Sequence, residues 1–252
     1  MRTLKDRRGE QDYNNQGCKM KIIKYNNAND ITVQFESGYV TNTKYINFKK
    51  GTIKDPYHKS VYNNGYIGCG KYNTRGYGSK HNRIYVTWTS MLQRCYSDKY
   101  QERQPAYKGC TVCVEWLNFQ NFAKWYEENY YEIPGEIMEL DKDILYKDNK
   151  IYSPDTCCFV SQSINLLFVR RNKSKEGYPP GITYQNDKYI IDCSLFNNEY
   201  YKIESHNTLF DAFDSYKKFK EKAIKDVADK YKNQIPKKLY NAMYEYKVEI
   251  TD

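Results

Sequence analysis

No run of apolar residues in this 252-residue chain approaches the roughly 20 that a membrane-spanning helix needs. The opening segment, Met1-Arg-Thr-Leu-Lys-Asp-Arg-Arg8, carries charge with no apolar stretch behind it, so it does not read as a secretory leader. Both absences predict a soluble protein that stays in the cytoplasm. Histidine is scarce: of His58, His81 and His206, the first and last sit in no motif. Arginine is missing altogether from residues 177–252. There is a single C-x-x-C pair, where a zinc ribbon usually has two. The eight cysteines are scattered rather than set out as a disulfide framework, and a reducing cytosol keeps such residues as thiols.

Tyrosine and positive charge are abundant. The 28 tyrosines supply flat rings that either fill a core or stack on bases. Net charge is +9, unevenly spread: 12 Lys/Arg against 6 Asp/Glu in residues 1–70, 16 against 13 in 71–176, and 12 against 12 in 177–252. A basic chain favours polyanions through counterion release, but the same charge also fits a protein that is merely soluble and basic.

The patterning predicts an α+β protein assembled from small modules. Residues 1–17 read as a flexible arm. Over 18–62, apolar residues alternate with period two between Asn/Gly turns (20–25, 31–35, 39–40 and 45–48), which predicts a small SH3-like β barrel. The glycine-rich stretch 63–80 reads as a linker. Trp88, Met91, Leu92 and Cys95 share one helix face, and Asn118 caps a second helix with Phe119, Phe122, Ala123 and Tyr126 at the same spacing. Residues 139–145, 147–149 and 156–160 read as strand, turn and strand, followed by a helix that Ser161 caps. After a basic link at 170–175, the last module (177–252) reads as three strands and a helix. Thr208 caps that helix with Asp211, and Pro236 opens another.

Four segments between 81 and 170 carry a family resemblance: Trp88-Thr-Ser-Met-Leu-Gln-Arg-Cys-Tyr96, Tyr107-Lys-Gly-Cys-Thr-Val-Cys-Val-Glu-Trp116, Leu140-Asp-Lys-Asp-Ile-Leu145 and Tyr152-Ser-Pro-Asp-Thr-Cys157. Together they resemble phage proteins related to HNH endonucleases, which implies a ββα-metal-like module with flanking helices over 81–176. Residues 178–232 resemble, by pattern, the ethylene-response-factor (Apetala-like) DNA-binding domain found attached to HNH nucleases in phages. That fold sets a three-stranded sheet in the major groove with its helix packed behind.

An HNH site grips one divalent ion, Mg²⁺ or Mn²⁺, against the scissile phosphate. The resemblance implies that Asp141 is the strand ligand and Asn165 the helix ligand. Asn149 is then the turn asparagine that braces the loop, and Lys142 stands at the general-base position. Lysine, protonated at neutral pH, has no lone pair to take a proton from water. General-base help is worth ~100 to 10,000-fold, so this departure leaves a feeble nuclease or none. On a regular strand Asp143 faces the same side as Asp141, either as a second ligand or base, or as a solvated carboxylate. His81 either approaches this site or is a surface residue without a role. Cys95, Cys110, Cys113 and Cys157 make either a four-thiolate zinc site or a set of buried structural thiols.

In the last module Tyr184, Lys188, Tyr189 and Lys202 are candidate DNA contacts, joined by Arg170 and Arg171 of the basic link. The missing arginines and the neutral charge of that module keep a protein-interaction role open. The sequence therefore predicts a phage or mobile-element protein that binds double-stranded DNA on an HNH-endonuclease scaffold, with metal-dependent cleavage left open. The alternative is a catalytically inactive interaction protein that binds and inhibits a host defence component.

Overall fold

The computed structural model describes residues 6–76, 82–169 and 177–250. It is a mixed α+β structure with, among the described residues, eight α-helices and several separate sheets. The chain divides into two compact units between Glu127 and Glu128, within the stretch 81–176.

The first unit begins with an antiparallel meander in the order β1 (Gln11–Tyr13), β2 (Lys19–Asn27), β3 (Asp30–Phe35) and β4 (Val40–Thr43). Period-two alternation is its cause. Met20 pairs with Phe35 and Ile22 with Val33, and these inward side chains close on Ile31 and Phe48 to form one buried core. Strand β1 lies inside the stretch expected to be a loose arm. Asn14 makes the turn behind it, its side-chain oxygen accepting the Gln16 and Cys18 N–H groups at 3.0 and 2.8 Å. Residues 45–48, expected to be extended, form the short helix α1 (Tyr45–Lys49). On a strand Tyr45 and Phe48 would face opposite sides, whereas one helical turn brings both onto the core, with their rings stacked at 6.1 Å. The expected barrel is not formed. β1 and β4 are the two edges of an open sheet, with no pairing between them among the described residues.

Helices α2 (Arg83–Tyr96), α3 (Asp98–Arg103), α4 (Val114–Leu117) and α5 (Phe119–Asn129) follow, with strand β5 (Thr111–Val112) between α3 and α4. Helix α2 buries Trp88, Met91, Leu92 and Cys95, the face its spacing predicts. The Trp88 indole N–H donates to the Trp116 carbonyl at 2.7 Å. The stretch expected to be a linker is tied down over residues 65–72. Tyr66 N–H donates to Leu117 O, Phe119 N–H donates to Tyr66 O, and the Gln120 amide bonds Ile67 and Tyr72. A Cβ on Gly65 would overlap Trp88 and Leu92, so this glycine serves close packing rather than chain freedom.

The second unit opens with β6 (Met138–Asp141), β7 (Ile151–Tyr152), β8 (Cys158–Ser161) and helix α6 (Gln162–Asn165). β6 runs antiparallel to β8, with Met138 opposite Ser161 and Asp141 opposite Cys158. The Ser161 hydroxyl caps α6 by accepting the Ile164 N–H. A three-stranded antiparallel sheet then has the order β11 (Tyr200–His206), β10 (Lys188–Leu195), β9 (Ile182–Gln185). Asn186 and Asp187, both at positive φ, make the two-residue turn that sets Tyr189 opposite Tyr184. Helix α7 (Leu209–Tyr231) lies against β10 and β11 and buries Ala212, Tyr216, Ala223, Ile224 and Val227. Thr208 caps it, accepting the Asp211 N–H at 3.1 Å and donating to the Asp211 carboxylate at 2.7 Å. Helix α8 (Lys237–Glu245) closes the unit on Leu239 and Met243. Among the described residues no helix is long and apolar enough to cross a membrane.

Candidate functional site

Two of the four segments that carry the family resemblance, 140–145 and 152–157, lie in the hairpin between β6 and β8, while 88–96 and 107–116 belong to the first unit. β6 stops at Asp141, four residues before its expected end, because the Asp141 side chain replaces the next ladder bonds. Its Oδ1 accepts the N–H groups of Asp143 and Ile144 at 2.7 and 2.8 Å, a local turn that turns the chain out of the strand. Burial pushes the Asp141 carboxyl above the usual carboxylate range, and the two N–H bonds only partly offset this.

Lys142 then turns inward and is 5 % exposed. Its Nζ donates to both Asp143 carboxylate oxygens at 2.6 and 2.7 Å and to the Asn149 carbonyl at 2.9 Å, and stands 5.8 Å from the Tyr152 ring centre. Asn149 returns the bond, its Nδ2 donating to Lys142 O at 2.9 Å and to Ile151 O at 2.7 Å. Lys142 and Asn149 therefore clamp the loop 142–151 reciprocally. Asp143 faces this ammonium, so the strand geometry that would have paired it with Asp141 does not arise.

Asn165, on α6, donates its Nδ2 to Glu139 Oε2 at 2.8 Å. Sequence reasoning missed Glu139. The signal was present, since Glu139 and Asp141 alternate with Met138 and Leu140, and the latter two are buried in the core. The arrangement tests the fit of a divalent ion. Oδ1 of Asp141 is engaged by two backbone N–H groups, the Asn165 amide nitrogen faces Glu139, and the Lys142 ammonium neutralises Asp143 while repelling a nearby cation. No group of three or more His, Cys, Asp or Glu is placed to hold a metal among the described residues. The Lys142 ammonium is the feature of this arrangement that works against a divalent ion.

Of the proposed zinc ligands, Cys95, Cys110 and Cys113 belong to the first unit and Cys157 to the second, and none of the four forms a disulfide. Burial pushes the Cys113 thiol up to about 11, which keeps it protonated at neutral pH. His81, Arg170 and Arg171 lie outside the described residues.

The C-terminal sheet has two unlike faces. Tyr184, Tyr189 and Lys202 share the helix-side face with buried Ile182, Ile191 and Cys193, as register and alternation require. Lys188 alone of the four expected contacts lies on the open face, beside Ile190, Asp192, Tyr201 and Ile203. On the helix side the Glu204 carboxylate meets the Lys202 ammonium at 2.7 Å, the Ser215 hydroxyl of α7 at 2.5 Å and His206 Nε2 at 3.2 Å. The lysine and serine bonds hold Glu204 down at about 2. A carboxyl lowered on folding stabilises the folded state above its unfolded value near ~4.3 and loses that contribution as pH falls through the folded value. Glu204→Gln is therefore expected to melt slightly below the parent chain at neutral pH, with the gap closing as pH drops from roughly 4.5 to 2. Circular-dichroism melts of both chains across that range check this.

No protein-family model, curated protein or solved structure matches the chain.

Proposed function

We propose that this protein binds double-stranded DNA on an HNH-type ββα scaffold that no longer cuts it. The observation that carries the reading is the Lys142 ammonium, which stands at the general-base position with its N–H groups on Asp143 and Asn149. A side chain held in this way takes no proton from water, and it leaves its acceptors only if the loop opens. The net charge of +9 supports binding to a polyanion, and Lys188, Arg170 and Arg171 are the contacts proposed in the second half of the chain. The motifs resemble those of phage proteins, so the proposed setting is the cytoplasm of a phage's host.

The test is supercoiled plasmid incubated with the protein, with and without Mg²⁺ or Mn²⁺, beside Asp141→Ala. The expected result is retardation without nicking, weakening roughly 10- to 1,000-fold between 50 and 200 mM salt as counterion release requires. Metal-dependent nicking that Asp141→Ala abolishes would overturn the reading.

One observation favours a second reading, an inactive interaction protein that blocks a host defence component. On the open face of the C-terminal sheet Tyr201 is 58 % and Ile203 61 % exposed, and the charges of Lys188 and Asp192 offset each other. Neither nicking nor retardation in the plasmid assay would favour this reading.

A further inference from the structure

The sheet of the first unit carries a feature that the ββα unit does not explain. Alternation and register place Tyr13, Lys19, Lys21 and Lys24 on the face turned away from the core, since their neighbours Met20, Ile22, Val33 and Phe35 fill the other side. Tyr13 is 62 % exposed and pairs with Lys19 across β1 and β2, and Lys21 is its near neighbour on the same face.

The charge on this face is in positive surplus, with Lys19, Lys21 and Lys24 against Asp30, and the ion pairs show why. Asp6 pairs with Arg8, Glu10 with Arg7 and Lys49, and Asp12 with Lys49, while Asp55 is buried and accepts the Tyr57 N–H. Glu36 reaches only Lys19, at 3.8 Å. Most carboxylates of the module are thus neutralised elsewhere. On the open face Asp30, at the start of β3, accepts the Asn26 amide at 2.7 Å, and among the described residues neither Lys21 nor Lys24 has an ion-pair partner. Lys21 and Lys24 are three residues apart on β2, and the bulge between Ile22 and Lys24 returns Lys24 to the face of Lys21, so the two ammonium groups form a short basic track for the phosphates of an extended chain.

We propose that this open sheet face binds single-stranded nucleic acid, with the Tyr13 ring stacking on a base and Lys21 and Lys24 meeting the phosphates. Aromatic stacking together with a basic track is how sheet surfaces hold unpaired strands without reading sequence. A duplex buries its base faces, so the exposed ring gains nothing from it. The proposal is independent of the ββα reading, which concerns duplex DNA and other residues.

The test uses the full chain and fluorescence anisotropy with labelled oligothymidine and oligouridine. Unlabelled duplex and polyglutamate serve as competitors. Tyr13→Ala is expected to weaken oligonucleotide binding roughly 5- to 100-fold. Lys21→Gln with Lys24→Gln is expected to weaken it and to lower the slope of log affinity against log salt by about 1.4. All three side chains project from the surface, so the melting curve serves as the control for folding. Binding of one oligomer and not the other assigns the ligand to DNA or RNA, and either result supports the proposal. No binding, binding unaltered in these variants, or displacement by duplex or polyglutamate as readily as by the unlabelled oligomer overturns it. Plasmid retardation by the parent chain is read separately, so failure here leaves the duplex reading standing.

Discussion

Lys142→Ala is expected to destabilise the second unit by about 1–3 kcal/mol and to lower its melting temperature by several degrees. The substitution removes an ammonium bonded to the Asp143 carboxylate and the Asn149 carbonyl. Breaking a fully buried pair costs ~3–5 kcal/mol, but the Asp143 side chain is 51 % exposed and water recovers part of that loss. What remains is an Asn149 carbonyl without its donor and a loop held from one side only. Hydrogen exchange is expected to accelerate across residues 142–151 while α7 stays protected, so the effect is local before it is global. Lys142→His places at this position an imidazole that can accept a proton, but the shorter side chain loses the clamp. The expected result is the same destabilisation with no gain of nicking. If melting and exchange are unchanged in Lys142→Ala, the ammonium is not the clamp, and the case against cleavage loses its main support.

Trp88→Ala is expected to have the larger effect, about 3–5 kcal/mol, a large share of the roughly 5–15 kcal/mol by which folded domains are stable. Trp88 is fully buried, sits under Gly65, packs on Phe119 at 5.4 Å and donates its indole N–H to Trp116 O. Truncation removes the ring from a site that cannot collapse, because Trp116 and Phe119 are themselves buried and fixed. It also leaves a buried carbonyl without its donor. Trp88→Phe separates the two terms, since it keeps most of the packing and loses the hydrogen bond, and about 1–3 kcal/mol is expected. Urea unfolding followed by circular dichroism measures both. Equal loss in the two variants would place the whole effect on the hydrogen bond.

The site was legible in the sequence as composition but not as geometry. Asp141, Lys142, Asn149 and Asn165 were picked out by their positions within short motifs, and three of the four lie within or border one loop. Their bonding was hidden because it depends on where β6 ends. The strand stops when the Asp141 side chain takes the Asp143 and Ile144 N–H groups, and this one local event turns Asp143 toward Lys142. Glu139 escaped notice because it lies outside the motif, although its alternation with Met138 was visible.

The sequence by itself determined the long helices and their buried faces. Over 14 residues in α2 and 23 in α7 an apolar period of 3.6 repeats often enough to be unmistakable, and the caps at Ser161 and Thr208 are local chemistry. Only tertiary structure decided the rest. A three-residue strand such as β1 shows no period, and the i, i+3 spacing of Tyr45 and Phe48 became helical only because a core lay on one side of both. Glycines at 65, 68 and 70 looked like freedom and served close approach. The two faces of the C-terminal sheet followed from a two-residue turn and from which side α7 covered. A shift of one residue in either would have exchanged every side chain between them.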